Sequence, residues 1–209
     1  MCTRYYMESS PELRPYVEKA RRSGLAMKMI AGLGRPIIEA GDVRPTDIAP
    51  VIAPGSKSHA PTVFPMVWGF TNPARGGSPI VNCRTETARA KPFWKDSWSR
   101  RRCIIPASYY FEWSSQVHPD GTKQKYLLQP KDSTITFLAG LYRIEERNGL
   151  QVPVFTVLTR EPGESIRFIH DRMPVILPEE AIQAWIDPEG EPEELIRSAI
   201  TELFFDRVK

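Results

Sequence analysis

From residue 63 onward, apolar and aromatic stretches too short for helices recur with turn-forming residues between them, and this punctuation limits the fold more than any other feature of the chain. Eight such runs are readable: Val63 to Phe70, Ile80 to Asn82, Cys103 to Ile105, Tyr109 to Trp113, Tyr126 to Gln129, Ile135 to Tyr142, Val152 to Thr159 and Met173 to Leu177. Many of their residues are β-branched or aromatic, types that fit a pleated, half-buried surface. Pro119, Asp120 and Gly121, and again Asn148 and Gly149, are tight-turn sequences that join antiparallel neighbours. The spacing predicts a mostly antiparallel sheet curled toward a barrel. Helical periodicity sits around it, over residues 11–33, where Leu13, Tyr16, Val17 and Ala20 share a face before Gly32 and Gly34. Further helical patterns lie at about 85–98, 163–169, 179–186 and 192–200. Residues 35–62 are rich in Pro and Gly but keep apolar residues, with one or two short strands such as Ile48 to Ile52, so they read as a loop-rich connection and not a linker. The expected class is α+β: a single domain over residues 1–209, with a mostly antiparallel, barrel-like core and peripheral helices.

A chain of 209 residues can bury a core without disulfides or metals. Hydrophobic residues at 41% and charged residues at 25% fit a soluble globular protein, and no apolar run is long enough to span a membrane. Behind Met1 come Cys2, Thr3, Arg4, Tyr5 and Tyr6, with Glu8 and Glu12 soon after, where an export signal would be apolar. A cytoplasmic location is expected. The three cysteines, Cys2, Cys83 and Cys103, are odd in number and lack zinc spacing, so neither a disulfide framework nor a metal site is indicated, and no cofactor motif is present.

Charge is concentrated. Arg84, Arg89, Lys91, Lys95, Arg100, Arg101 and Arg102 are opposed within their segment only by Glu86 and Asp96, so the segment alone exceeds the net +3 of the whole chain. Phe93, Trp94 and Trp98 are interleaved with these cations. Aromatics beside cations are what a single-stranded nucleic-acid groove uses to stack bases and hold phosphates. An amphipathic helix with its aromatics in the core accounts for the same pattern equally well.

Chemistry is suggested at four places. If Met1 is removed, Cys2 carries a free α-amine and a thiol on adjacent carbons, a pair that can close on an aldehyde as a thiazolidine. At pH 7 roughly a tenth of an α-amine is neutral, against well under a thousandth of a lysine, so the amine is much the better carbonyl nucleophile. Alternatively, Cys2 is a small buried apolar side chain. Asn82, Cys83, Arg84, Thr85 and Glu86 stand at a strand-to-helix junction, where Arg84 can grip a phosphate and Asn82 or Thr85 can cap the helix. Tyr109, Tyr110, Phe111, Glu112 and Trp113 enclose a carboxylate in aromatics, a setting for a general acid or base or for an ordinary strand glutamate. In the run His170, Asp171, Arg172, Met173 and Pro174, Asp171 or Arg172 could orient the histidine or a phosphate.

Together with the Trp68 and Gly69 pair, these clusters occur in the order and approximate spacing of one family: the chain resembles the SRAP (SOS response-associated peptidase) proteins from Met1 to about Trp185. The resemblance implies a cytoplasmic or nucleoid-associated protein that recognises abasic sites in single-stranded DNA and bonds to them through Cys2, after autoprocessing or aminopeptidase removal of Met1. It further implies Cys2 as nucleophile, Glu112 and His170 as catalytic residues, and Asn82 and Arg84 as holders of the abasic sugar and its phosphate. Arg4, Trp68, Phe93, Trp113 and Arg172 would line the DNA path. The implied protein is a monomer needing no metal or organic cofactor and no membrane. Thr3, Tyr5, Cys83 and the run Phe70, Thr71, Asn72 and Pro73 depart from the commoner family residues. Two other classes fit parts of the pattern: an N-terminal nucleophile amidohydrolase using Cys2 and its own amine, and a non-covalent single-stranded DNA-binding module.

Overall fold

In chain order the strands are β1 (Tyr5–Met7), β2 (Gly41–Val43), β3 (Ile48–Pro54), β4 (Pro61–Trp68), β5 (Asn82–Arg84), β6 (Arg102–Ala107), β7 (Tyr109–Trp113), β8 (Lys125–Pro130), β9 (Thr136–Arg147), β10 (Leu150–Arg160), β11 (Met173–Pro174), β12 (Ile176–Leu177) and β13 (Leu203–Val208). The helices are α1 (Arg14–Arg22), α2 (Gly24–Leu33), α3 (Thr85–Ala88), α4 (Pro92–Arg100), α5 (Ile182–Ile186) and α6 (Pro192–Arg197). This computed structural model describes residues 1–55, 59–72, 74 and 76–208; Pro73 of the sequence reading and the last residue, Lys209, lie outside them.

The anticipated barrel is present. Strands β10, β4, β3, β6 and β9 pair in that order, and β9 pairs back onto β10, closing a five-strand ring. Its pairings are antiparallel except β10 with β4, which run parallel through Val154 with Val67 and Phe155 with Trp68. β5 adds a second parallel pairing to β10, from Val157 with Asn82 to Thr159 with Arg84. The β9–β10 hairpin turns at Asn148 and Gly149, both at positive φ (52° and 74°), the conformation that an Asn-Gly turn supplies. A second, all-antiparallel sheet is ordered β13, β8, β7, β1, β2.

Alternation along the ring strands sorts the core into two. Ala49, Val51, Met66, Trp68, Cys103, Ile105, Leu138, Phe155 and Val157 form one buried cluster. The residues between them, including Ile48, Ile52, Val67, Ile104, Leu141 and Val154, join a second cluster with Met29, Trp94, Trp98 and Trp185 of the helices. Helices cover the outside of the ring, so the first cluster is its interior. A five-strand ring is narrow, and it is filled by alternating small and large residues. Trp68 and Phe155 stack there at 6.0 Å, with Ala49, Cys103 and Gly140 supplying the small positions.

The helices are shorter than their sequence patterns suggest. The 11–33 pattern breaks at Ser23, which is extended (φ −65°, ψ 141°), and α2 ends at Gly34 in the left-handed region (φ 64°) and not at Gly32. Gly32 has a different use, since a Cβ there would lie 2.0 Å from Leu150 Cδ1. The 85–98 pattern splits before Pro92, which starts α4 at a position where its missing N–H costs nothing. The 163–169 pattern reduces to a 3-10 turn at Glu164–Ile166, β2 and β3 are the short strands expected within 35–62, and β1 and β13 have no counterpart in the strand reading.

Gly140 tests the tightness of the ring. An added Cβ would lie 2.6 Å from the Thr156 carbonyl oxygen and 2.7 Å from Ile105 Cδ1. Gly140→Ala is therefore expected to lower unfolding stability by roughly 1–3 kcal/mol in urea titration, the usual cost of overpacking. Unchanged stability would mean that the ring is looser than described.

Candidate functional site

The N-terminal segment reaches the site because β1 is clamped on both sides. Tyr5 pairs with Tyr110 and with Val43, and the Phe111 N–H donates to the Arg4 carbonyl at 2.9 Å. Tyr5 is fully buried with its ring 5.2 Å from that of Trp68. Three residues earlier, Cys2 is also fully buried in the barrel-interior cluster, its Sγ 3.7 Å from the Arg4 carbonyl. Asn82, the first residue of β5, donates its Nδ2 to the Cys2 carbonyl at 2.8 Å. Cys83 beside it turns into the outer core, and Arg84 is exposed.

One residue further out, the Met1 ammonium donates to Glu112 Oε1 at 3.2 Å and lies 2.8 Å from His170 Nε2. Glu112 is in the middle of β7 with its side chain on the buried face, 4% exposed. Its Oε1 also accepts the Trp113 N–H, while Oε2 is buried with no partner. Asn82 Oδ1 is likewise buried and unpartnered. His170 follows the 3-10 turn and precedes β11, with Nδ1 accepting the Arg172 N–H at 3.0 Å and lying 2.7 Å from Asp171 Oδ1. Cys2, Asn82, Glu112 and His170, up to 168 residues apart in sequence, thus surround the first peptide unit.

Burial pushes the Cys2 thiol far above its ordinary value, and the Glu112 carboxylate adds to this; the Arg4 backbone contact and the N-terminal ammonium offset it only partly. The thiol is a protonated, apolar-packed group in this arrangement. Arg84 is not among the groups that shift this thiol.

A cleft of about 490 Å³ opens beside Met1, lined by Asn72, Asn82, Arg84, Lys91 and Phe93 among others. Phe93 is half-buried, packed edge-on against Trp94 at 4.6 Å, with the Arg143 guanidinium 4.7 Å from its ring. On the outer face of the second sheet, Arg4 lies 5.7 Å over the half-buried Trp113 ring and 3.6 Å from Asp42.

Two expected DNA contacts are elsewhere. Trp68 is fully enclosed by Phe155 and Tyr5, its Nε1 donating to the Val81 carbonyl, so its ring has no face for a base. Arg172 is 8% exposed and grips Glu86 with both terminal nitrogens at 2.8 and 2.9 Å while also donating to the Thr159 carbonyl, so it secures α3 to the barrel. The basic, aromatic segment divides in the same way. Trp94 and Trp98 are core, Arg100 and Arg101 pair with Asp96, and Arg102 is buried against the Trp185, Trp98 and Asp187 carbonyls. The amphipathic-helix reading holds for most of it, leaving Arg84, Lys91 and Phe93 at the cleft. Thr85 donates to the Thr159 carbonyl and caps no helix, and α3 has no side-chain cap.

One cluster escaped the sequence reading. Arg143, Glu145 and Arg147 alternate on β9 and so share a face; Glu145 accepts from both arginines and from the Thr71 N–H and hydroxyl, and Arg147 also donates to the Gly69 carbonyl. The network fixes the Gly69–Asn72 turn and sets Arg143 against Phe93. A period-2 reading of β9 could have found it.

Among the described residues, no group of three His, Cys, Asp or Glu side chains could hold a metal ion, and no helix is long and apolar enough to cross a membrane.

The family model described as SOS response associated peptidase (SRAP) matches residues 1–207. Curated relatives include the abasic site processing protein YobE of Bacillus subtilis, 34% identical over 140 residues, covering 64% of this chain and 62% of the relative. The abasic site processing protein HMCES of Gallus gallus is 28% identical over 167 residues, covering 64% of this chain and 49% of the relative. The chain thus spans about three fifths or less of the length of these relatives. Among solved structures, a protein from Bacteroides thetaiotaomicron superposes with a TM-score of 0.75 at 20% identity, covering 100% of this chain and 92% of that one. A phage-related protein from Bordetella bronchiseptica gives 0.70 at 22% identity, with 100% and 94% coverage. These likenesses show the same fold.

The Glu145 network carries a pH test. Burial opposes ionisation of Glu145, but the bonds from Arg147, the Thr71 amide and Arg143 outweigh it and hold the carboxyl below its usual 4.5. A depressed folded-state value stabilises the fold at pH above the ordinary carboxylate range, and that contribution disappears as pH falls through the depressed value. Glu145→Gln should therefore be less stable than the parent by roughly 1–3 kcal/mol near neutrality, with the difference shrinking as pH falls below the ordinary carboxylate range. A gap independent of pH in chemical denaturation would contradict the assigned role.

Proposed function

Because the chain belongs to the SOS response associated peptidase family, we propose that it captures abasic sites in single-stranded DNA as a covalent thiazolidine on Cys2, once Met1 has been removed. The observation that carries this reading is the bracketing of the Met1 amine by Glu112 and His170 while Asn82 holds the Cys2 carbonyl. Hydrolysis of the Met1–Cys2 amide, by the protein itself, leaves the Cys2 nitrogen as a free amine beside a carboxylate and an imidazole. The names of the curated relatives point to the same lesion. The unpartnered Glu112 Oε2 and Asn82 Oδ1 are acceptors for sugar hydroxyls, which replace the hydrogen bonds these atoms lack.

An abasic deoxyribose is a closed hemiacetal in equilibrium with an open aldehyde, and only the aldehyde reacts with an amine. His170 delivers a proton toward the ring oxygen as the ring opens, and Glu112 takes a proton from the attacking Cys2 amine. Loss of water from the carbinolamine gives the imine. The Cys2 thiol then adds to the imine carbon while its proton passes to the nitrogen, closing the five-membered ring with every atom accounted for. Arg84 and Lys91, at the rim of the cleft, hold the flanking phosphates, and Phe93 offers an aromatic edge to a neighbouring base. Arg4 and Trp113 guide the strand on the other side of Cys2, over the second sheet. The protein works as a monomer on nucleoid DNA, and the linkage shields the lesion from cleavage and copying.

An oligonucleotide with one abasic site, incubated with purified protein and run on a denaturing gel, is expected to give a retarded, heat-resistant species. Intact mass should show loss of one methionine. Cys2→Ala should give none of that species, and equal yield from it would overturn the reading. Glu112→Gln and His170→Ala should each slow its formation by on the order of a hundredfold.

A further inference from the structure

Three cations gather on the outer face of the second sheet, and one carboxylate serves two of them. Pairing registers put Asp42 beside Tyr6 and Trp113 beside Lys125 on this face, opposite the buried Tyr5, Tyr110 and Glu112. Arg4 and Arg44 lie 3.6 and 3.2 Å from the same Asp42. Lys125 sits over the Phe111 ring, its Nζ 3.5 Å from the centroid and 5.8 Å from that of Trp113, and among the described residues it has no ion-pair partner. Partial burial first, and then the charges of Arg4 and Arg44, pull its ammonium below the ordinary value, with Asp42 opposing. Glu8, beside Tyr109, and Asp206, opposite Leu127 on β8, are not among the groups acting on Lys125. The trio therefore keeps two uncompensated charges at a place where its members repel one another.

We propose that Arg44 and Lys125 join Arg4 in a phosphate site for the DNA strand that leaves the reaction centre over Trp113. The identity of the strand rests on the function proposed above, whereas the excess of positive charge does not. A phosphate supplies a negative charge and several acceptor oxygens, which an arginine fork grips in pairs and a lysine meets as a point charge. Bound among the three cations, it removes the repulsion that Asp42 leaves unmet. The half-buried Trp113 ring borders the same trio, with Arg4 at 5.7 Å and Lys125 at 5.8 Å, so a base and its phosphate can be held together. An acidic peptide would use the cations but has no need of that ring. Trp113 also directly follows Glu112, which holds the Met1 amine, and Arg4 is two residues beyond Cys2. A strand whose abasic sugar lies at Cys2 thus meets the trio with its neighbouring phosphates, without crossing another element.

Fluorescence anisotropy of a labelled oligothymidylate, which has no aldehyde and forms no crosslink, tests the site apart from the chemistry. Lys125→Gln and Arg44→Gln should each weaken binding by on the order of tenfold at low salt. Lys125→Arg, which keeps the charge, should bind nearly as the parent does. The double variant Arg44→Gln, Lys125→Gln should lower the slope of log affinity against log salt by about 0.7, the share of one phosphate on a single strand. Affinity unchanged in both single variants, or lost equally in Lys125→Arg, would overturn the site. Competition by polyglutamate as strong as by oligothymidylate of the same charge would make it a peptide site and overturn it too. A strand with one tetrahydrofuran, an abasic sugar without an aldehyde, then locates the phosphate. Replacing the flanking phosphates one at a time by neutral methylphosphonates should weaken binding of the parent at one position and add nothing there in the double variant. Equal losses in parent and double variant at every position would contradict the assignment. Weaker binding by the variants, in a protein that forms no crosslink with a true abasic strand, upholds the phosphate site and rejects the proposed chemistry instead.

Discussion

Everything at the site follows from the burial of Cys2 in the end of a narrow barrel. Its side chain shares the interior with Trp68 and Phe155, and the strand that follows is pinned between β7 and β2 through Tyr5 and Tyr6. With the thiol and the Cys2 carbonyl both tied down, the preceding nitrogen has very little freedom. Consecutive Cα atoms are about 3.8 Å apart, so one residue of chain beyond Cys2 reaches only as far as Glu112 and His170. The apolar contact thus orients a polar terminus, which by itself would fray into solvent.

Two kinds of buried polar group occur here, and the contrast distinguishes structure from chemistry. Arg102 is nearly inaccessible, yet its guanidinium is surrounded by carbonyls of Trp98, Ser99, Trp185, Asp187 and Gly190, a complete solution to burying a cation. Glu112 is as well buried but keeps one oxygen without a partner, and Asn82 does the same with its amide oxygen. An unmet buried acceptor costs about 1–3 kcal/mol, and folds ordinarily avoid it. Other buried atoms, such as Tyr5 Oη and Arg172 Nε, also lack partners, but these two lie beside the same terminal peptide unit, where a ligand with hydroxyls can offset the cost.

The strands that form the barrel were legible because turn sequences such as Asn148-Gly149 and runs such as Val152 to Thr159 declare themselves locally. β1 was not, since it has only three residues, and neither was β13, whose six residues pair with β8 but show no alternation of burial; both owe their conformation to partners far away in sequence, such as Tyr110 for Tyr5 and Leu128 for Phe205. Cys2, Asn82, Glu112 and His170 were legible as a set through family resemblance, and their convergence is a tertiary fact. Trp68 and Arg172 show the limit of that route. A motif records that a position matters and not which way it faces: Trp68 fills the barrel and Arg172 ties Glu86, roles that only the packing reveals. The segment 84–102 stayed open between two readings for the same reason, because a cation count says nothing of how many cations are already paired with Asp96 or with carbonyls.

The same burial sets the order of bond formation in the proposed chemistry. A thiol pushed far up by desolvation and by Glu112 is a poor first nucleophile, whereas the α-amine is neutral in a useful fraction at pH 7. Nitrogen therefore attacks first and sulfur second. The imine that results is a far stronger electrophile when protonated, and that positive charge, arising next to Cys2, stabilises the negative charge that develops on sulfur as the thiol ionises and adds. Glu112 has opposed effects in the two steps. Its charge keeps the thiol protonated while the amine attacks, and it then stabilises the iminium that the thiol must meet. A thiolate present from the start would give a hemithioacetal as readily as an imine, so keeping the sulfur protonated until the nitrogen has bonded commits the aldehyde to the five-membered ring.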